Sequence, residues 1–393
     1  MQLRADLSGY SDTHSRLIQN GQNRDVTARL LLVTILIGLL AACPSYDASF
    51  EDCAVHCTAN MQCPVDLTCG DEGLCRASGV TDSCAQVLAT FPSCAGLAAT
   101  CGPNADEDCC STATPIPGGT FYRSYDVAAD GMYPSTSYPA TVSPFVLDRF
   151  EVTVGRFRKF VEANMGVQTN PPPNGASARR LNGMDDQGGW DASWNASLTA
   201  DTSALVAALK CDAARQSWTD APGANETLPI NCITWLEARA FCAWDGGFLP
   251  TEAEWNYAAA GGNEQRAYPW SSPSSVLTID CARANYRVDS PPGTACQNGT
   301  IGGVQRVGNR SPSGDGRWGQ TDLAGNIWEW VLDQYGPYEV PCDNCSKLTP
   351  SSPIMRGGHF GDTALFLRDS FRNYAAAQDG TRRYSIGLRC ARI

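Results

Sequence analysis

The sequence predicts a loop-rich chain of mixed helix and strand, with a small disulfide-stapled region ahead of one large domain. Three observations predict it. The chain holds 37 Gly and 24 Pro, so loops are abundant. Helical and strand periodicities both occur, each in short stretches. The 19 cysteines divide into two even groups once Cys43 is set aside, ten from Cys53 to Cys110 and eight from Cys211 to Cys390. A length of 393 residues suffices for two or more domains, and 43% apolar residues can supply a sizeable core.

The formal net charge of −12 argues against nucleic acid as a partner, because phosphate is held by Lys and Arg. So many cysteines do not suit a reducing compartment; they imply export and disulfides. An export signal is visible at Leu30 to Ala42, an apolar run behind Arg24 and Arg29. Thirteen residues suit a signal-peptide core better than a membrane span. The run ends in Leu40-Ala41-Ala42-Cys43, which resembles a bacterial lipobox and implies lipid on Cys43 and a membrane anchor. No Asp follows that Cys, which by the same resemblance favours the outer membrane. Residues 1–25 are polar and too long for a signal n-region, so translation is expected to start at Val26.

After the signal region 1–43, residues 44–112 read as the disulfide-stapled region. Too little apolar material lies there for a core, so bridges must supply stability. Their pairing is not readable. Zinc is disfavoured, because His56 is the one histidine there and no Cys-x-x-Cys occurs. Residues 113–119 look like a linker by their Pro and Gly, and the large domain spans 120–393. Phe145 to Thr153 alternates as a strand does. Val154 to Ala163 carries apolar residues at helical spacing, and Ser203 to Arg215 is a candidate helix. Thr234 to Asp245 is an amphipathic helix, with Trp235, Ala238, Phe241 and Cys242 on one face. Thr251 opens another, with Glu254 completing a capping box and Gly261-Gly262 ending it. Beyond lie Gly-rich loops and short strands.

Five blocks in order carry a specific resemblance. They are Glu151-Val152-Thr153; Pro229 to Trp235 with Ala240-Phe241-Cys242; Leu249 to Ala258, containing Pro-Thr-Glu-Ala-Glu-Trp; Asp322 to Trp330, containing Ala-Gly-Asn-Ile-Trp-Glu-Trp; and Arg356-Gly357-Gly358 with Gly387-Leu388-Arg389-Cys390. Together they resemble the formylglycine-generating enzyme, or sulfatase-modifying factor, family over residues 118–393. The resemblance implies a compact α+β fold related to C-type lectins, with little regular secondary structure and a mixed, twisted sheet. Trp255, Trp328 and Trp330 read as buried anchors of such a domain.

The resemblance also implies calcium. One site would use Gly325, Asn326, Ile327 and Glu329; a second would use Asn285 and Tyr286 with a residue near Asn298 or Thr300. Backbone-rich loops suit the oxygen-loving ion. The family's pairing implies Cys242–Cys390. Cys211–Cys232, Cys281–Cys296 and Cys342–Cys345 are proposed for the remaining six, with a redox dithiol at Cys342 and Cys345 as the alternative. The loop setting after Pro341 and the lack of a βαβ context favour the bridge.

In the family, two cysteines after the Arg-Gly-Gly turn bind copper and perform the oxidation. Those positions are Asp362 and Leu367 here. Neither is the soft thiolate that holds copper(I), so copper is not expected. His359 is the one His after residue 56, which excludes a three-histidine iron or zinc site within this chain. His359, Asp362, Arg368, Asp369 and Arg372 are candidates for a polar pocket, in which a His beside a carboxylate is a potential general base. The plainer reading is that His359 fills a turn and Asp362 is solvated. The expectation is a surface lipoprotein whose large domain binds a peptide or glycan without oxidising it. The alternative is an oxidase built on a non-standard site.

Overall fold

The computed structural model describes residues 67–69, 75–77, 91–128, 135–181, 184–187, 189–288, 294–296, 303–349, 352–375 and 380–393. The signal region, Cys43, Asn298 and Thr300 lie outside these residues. A first hairpin pairs β1 (Leu67–Cys69) with β2 (Cys75–Ala77) and sets Cys69 opposite Cys75. Strands β3 (Gly119–Tyr122), β4 (Pro139–Val142) and β5 (Val146–Leu147) lead into helix α1 (Val154–Glu162). Next come the hairpin β6 (Arg179–Leu181) and β7 (Met184–Gln187), then α2 (Thr202–Ala208), α3 (Trp235–Trp244) and α4 (Glu252–Ala259). The rest is short strands: β8 (Arg287–Val288), β9 (Thr294–Ala295), β10 (Trp328–Gln334), β11 (Cys342–Asp343), β12 (Pro353–Arg356), β13 (Asn373–Tyr374), β14 (Ile386–Gly387) and β15 (Ala391–Arg392).

The central sheet runs β13-β12-β10-β14, with β10 antiparallel to β12 and parallel to β14. A three-stranded sheet runs β11-β4-β3, and β15 pairs with β5. This is a mixed α+β fold with short elements, as the sequence predicts. All seven residues of β10 are buried. Alternate side chains of a strand face opposite ways, so β10 divides the core. Trp328, Trp330 and Leu332 join α1 and α3 through Phe157, Phe160, Leu236 and Phe241. Val331 joins the other cluster, which holds Trp255 and Ala258 of α4 with Phe121 and Phe145.

The helix signals act as local chemistry demands. Thr153 caps α1 through the Arg156 amide. Thr234 with Glu237, and Thr251 with Glu254, form complete capping boxes on α3 and α4. Left-handed Gly261, at φ +64°, follows α4. Two expectations differ. The helix predicted over 203–215 stops at Ala208, because Asp212 caps a separate turn by accepting from the Ala214 and Arg215 amides. The strand read over 145–153 is regular only at Val146–Leu147.

The supposed linker 113–119 is part of the domain. Ile116 is fully buried and exchanges both backbone hydrogen bonds with Phe145. Residues 91–112 dock as well. Cys101 and Cys109 pack with Phe150 and Val307. Ser93 donates its amide to Asp245 and accepts from the Arg156 guanidinium. Pro and Gly marked turns there, but the apolar Ile and the long-range charge partners decide that these turns are docked. Among the described residues no helix is long and apolar enough to cross a membrane.

Candidate functional site

The sequence blocks meet one another in the interior. Glu329 is buried, and its carboxylate accepts from Arg389 Nε and Nη2 at 2.8 and 2.7 Å and from the Trp255 indole at 2.7 Å. Glu252 of α4 binds Arg356 Nε at 3.1 Å and Arg372 Nε and Nη2 at 2.8 and 2.7 Å. Asn326 donates to Glu151 at 2.6 Å. Cys242 is bonded to Cys390. Bidentate Arg–carboxylate contacts are strong and geometrically specific, so these motif residues lock one segment to another.

The turn after β12 is where the family's chemistry would sit. Gly357 and Gly358 adopt φ +96° and +76°, which glycine tolerates. His359 and Asp362 come together, with Nε2 3.5 Å from Oδ1. Within the turn the His359 amide donates to Asp362, and His359 Nδ1 accepts from the Gly361 amide at 2.8 Å; outward, the Phe360 amide donates to the Asn326 carbonyl and the Asp362 carbonyl accepts from the Arg287 amide. Burial pushes the imidazole down, with Asp362 opposing, and pushes the Asp362 carboxyl up, with His359 opposing. Both shifts favour a neutral pair over an ion pair.

Leu367 is fully buried beside Tyr268, Ala284, Tyr286 and Ala324. A Cβ on Gly358 would meet Leu367 Cδ1 at 2.6 Å, and one on Gly325 would meet its Cδ2 at 3.2 Å. The side chain is therefore wedged against two glycines, hydrocarbon where the family places a sulfur. Copper does not fit this donor set. All 12 cysteines from Cys94 onward are joined in six bridges, including Cys211–Cys232, Cys281–Cys296 and Cys342–Cys345. The adjacent Cys109 and Cys110 go to Cys101 and Cys94.

The polar set grouped from the sequence separates. Arg368 binds Asp126 at 2.8 Å. Arg372 is held by Glu252 and lies over the Tyr338 ring at 4.0 Å. Asp369 is buried, and neither carboxylate oxygen has a hydrogen-bond partner among the described residues. Burial pushes its carboxyl well above the usual range, against the pull of Arg356 and Arg266. None of the three is hydrogen-bonded to His359 or Asp362.

The calcium donors need a similar revision. Glu329 is committed to Arg389 and Trp255, which occupy both of its carboxylate oxygens. Tyr286 packs in the core, and its carbonyl accepts the Cys296 amide. Yet Asn285 Oδ1 and Glu151 Oε1 are buried oxygens without donors among the described residues. They flank Asn326, whose side chain links Asn285 at 3.1 Å to Glu151. An oxygen-rich, donor-poor cluster suits a hard cation. Burial pushes the Glu151 carboxyl well up, aided by Asp322 and Glu329.

A cavity of about 370 Å³ opens elsewhere, lined by Tyr138, Tyr335, Gly336, Pro337, Tyr338 and Arg372. Tyr138 is 38% and Tyr335 37% exposed, and Tyr335 stacks on Tyr374 at 4.1 Å. Sequence reasoning missed this site. Its available signal was the aromatic pair bracketing Gly336-Pro337 in a loop.

This fold and its interlocked motifs define a class, a sulfatase-modifying-factor-type domain, and residues 99–393 match the family model described as the sulfatase-modifying factor enzyme 1-like domain. The chain belongs to that family. The inactive C-alpha-formylglycine-generating enzyme 2 of Bos taurus is 32% identical over 63% of this chain and 76% of its own length. The formylglycine-generating enzyme of Thermomonospora curvata is 27% identical over 62% and 81%. A hercynine oxygenase of Mycolicibacterium smegmatis is 25% identical over 67% and 57%. Among solved structures, PvdO from Pseudomonas aeruginosa aligns at 20% identity over 71% of this chain and 92% of its own, with a TM-score of 0.47.

Proposed function

We propose that this chain is an exported, lipid-anchored member of the family that binds a peptide or glycan and does not oxidise cysteine to formylglycine. One observation carries the reading: Leu367 occupies the second catalytic position as a buried apolar wedge, and Asp362 occupies the first. Neither position supplies a thiolate, and thiolates are what copper(I) oxidation requires. Similarity to a relative named as inactive points the same way. The tyrosine-lined cavity is the place for the ligand. Concave sites lined by aromatic faces with a few polar groups are the usual binding geometry. Calcium, held by oxygens of Asn285, Asn326 and Glu151, would brace the loop beneath the turn. Lipid on Cys43 would hold the protein at the outer membrane.

Mass spectrometry on the full chain purified from membranes tests the proposal. Free thiols are counted under native and denaturing conditions, with and without copper(I). Bound metals and the mass of the mature N-terminus are read in the same sample, and a cysteine-containing peptide is assayed for aldehyde formation. The expected result is no free thiol after Cys94, no aldehyde, calcium as the metal and a lipid mass on Cys43. Two thiols protected by copper, or aldehyde formed on the peptide, would overturn the non-oxidase reading.

A further inference from the structure

We propose that Cys342–Cys345 is an exchangeable, redox-active disulfide that accepts electrons from dithiols of a peptide or protein. Its basis is independent of the ligand-binding reading above.

The bridge closes a sequence separation of 3, against 8 to 148 for the others described. So short a loop constrains the unfolded chain least, and a purely stabilising role explains it least. The two sulfurs sit differently. Cys342 is on β11, which pairs with β4, and is 4% exposed. Cys345 is half-buried and faces a narrow crevice in which Arg123, Lys347 and Arg372 share the lining with Glu252, Asp333 and Glu339. Arg123 Nη1 lies 3.5 Å from Cys345 Sγ. That guanidinium is 5% exposed, and Glu252 and Asp333 act on it by charge, without a hydrogen bond to it among the described residues. Its Nη2 donates to the Glu339 carbonyl, and its plane lies 4.4 Å from the Tyr338 ring. A buried cation beside a sulfur stabilises the thiolate form of that sulfur.

The exchange balances as follows. A substrate thiolate attacks the accessible Cys345 Sγ; the new S–S bond forms, the Cys342–Cys345 bond breaks, and Cys342 leaves as a thiolate and takes a proton. The second substrate thiol, deprotonated, attacks the substrate sulfur of the mixed disulfide. Cys345 leaves as a thiolate that Arg123 stabilises. Two electrons pass from the substrate dithiol, which becomes a disulfide, to the Cys342 and Cys345 pair; of its two protons one goes to Cys342 and the other to solvent.

The test equilibrates the full chain with graded ratios of reduced to oxidised dithiothreitol, then alkylates and maps each cysteine by mass spectrometry. The expected result is that Cys342 and Cys345 become reduced at a ratio at least tenfold lower than the other five described bridges require. Reduction together with the others, or after them, overturns the proposal. Iodoacetamide rates across pH give a second readout on the unmutated protein. A Cys345 midpoint below the ordinary thiol value of about 8.5 supports the assignment, and one at or above it overturns it. Arg123→Gln is expected to slow Cys345 alkylation about tenfold at pH 7; an unchanged rate in the folded variant would show that Arg123 does not tune the sulfur.

Discussion

The polar core around Glu252 and Glu329 and the turn from His359 to Leu367 belong to one motif frame, yet they have different partners. In the core each motif residue meets a residue of another block: Glu252 meets Arg356, Glu329 meets Arg389 and Trp255, and Cys242 meets Cys390. In the turn, His359 and Asp362 bond chiefly within their own loop, and Leu367 packs against glycines. The difference shows that fold and chemistry rest on separate residues of the same signature. The locking pairs keep the family's architecture, while the positions that would carry its oxidation hold an acid and a hydrocarbon. Family membership therefore specifies the scaffold more tightly than it specifies the reaction.

The largest effect should come from breaking a locking pair. Glu329→Gln removes the carboxylate hydrogen-bonded to the buried Arg389 guanidinium, and the expected loss is about 3–5 kcal/mol in urea unfolding. A loss near zero would mean that the pair is not what joins these blocks.

The turn should respond next, and only as packing. Leu367→Ala opens a void between Gly325, Gly358 and Tyr268, with an expected cost of about 2–4 kcal/mol by the same measurement. If the variant lost nothing, the wedge would be solvent-filled space, and the contrast with the core would fail.

The smallest effect concerns Asp369, which has a buried carboxylate like the core acids but no hydrogen-bond partner among the described residues. Its folded pKa is raised, so the unfolded state gives up its proton first as pH rises. Its contribution is therefore present at low pH and declines as pH rises above the ordinary carboxyl range of about 4 toward the raised folded value. Asp369→Asn removes that decline. The variant should gain about 1 kcal/mol at pH 8 relative to the unmutated protein and gain nothing at pH 4. Parallel stability curves across that range would show that Asp369 is compensated after all. Burial also pushes Asp333 up, to about 7, so it adds a decline of the same sign up to that pH.

Much of the architecture was legible in the sequence. Capping boxes at Thr234 and Thr251, the left-handed Gly261 and the apolar faces of α1 and α3 are set by residues within one or two helical turns, and such signals survive in any context. The substitution of Asp362 and Leu367 in the signature was equally legible, because residue type alone tells a thiol from an acid or an alkyl chain. Tertiary structure decided what depends on partners far away in the chain. Ile116 joins the domain because Phe145 lies beside it. Glu329 is an interior lock rather than a loop ligand because Arg389, 60 residues on, reaches it. Arg372 leaves the His359 turn because Glu252, 120 residues before it, holds its guanidinium. Burial and charge pairing are properties of such meetings, so the sequence supplied the groups and only the fold could assign them to one another.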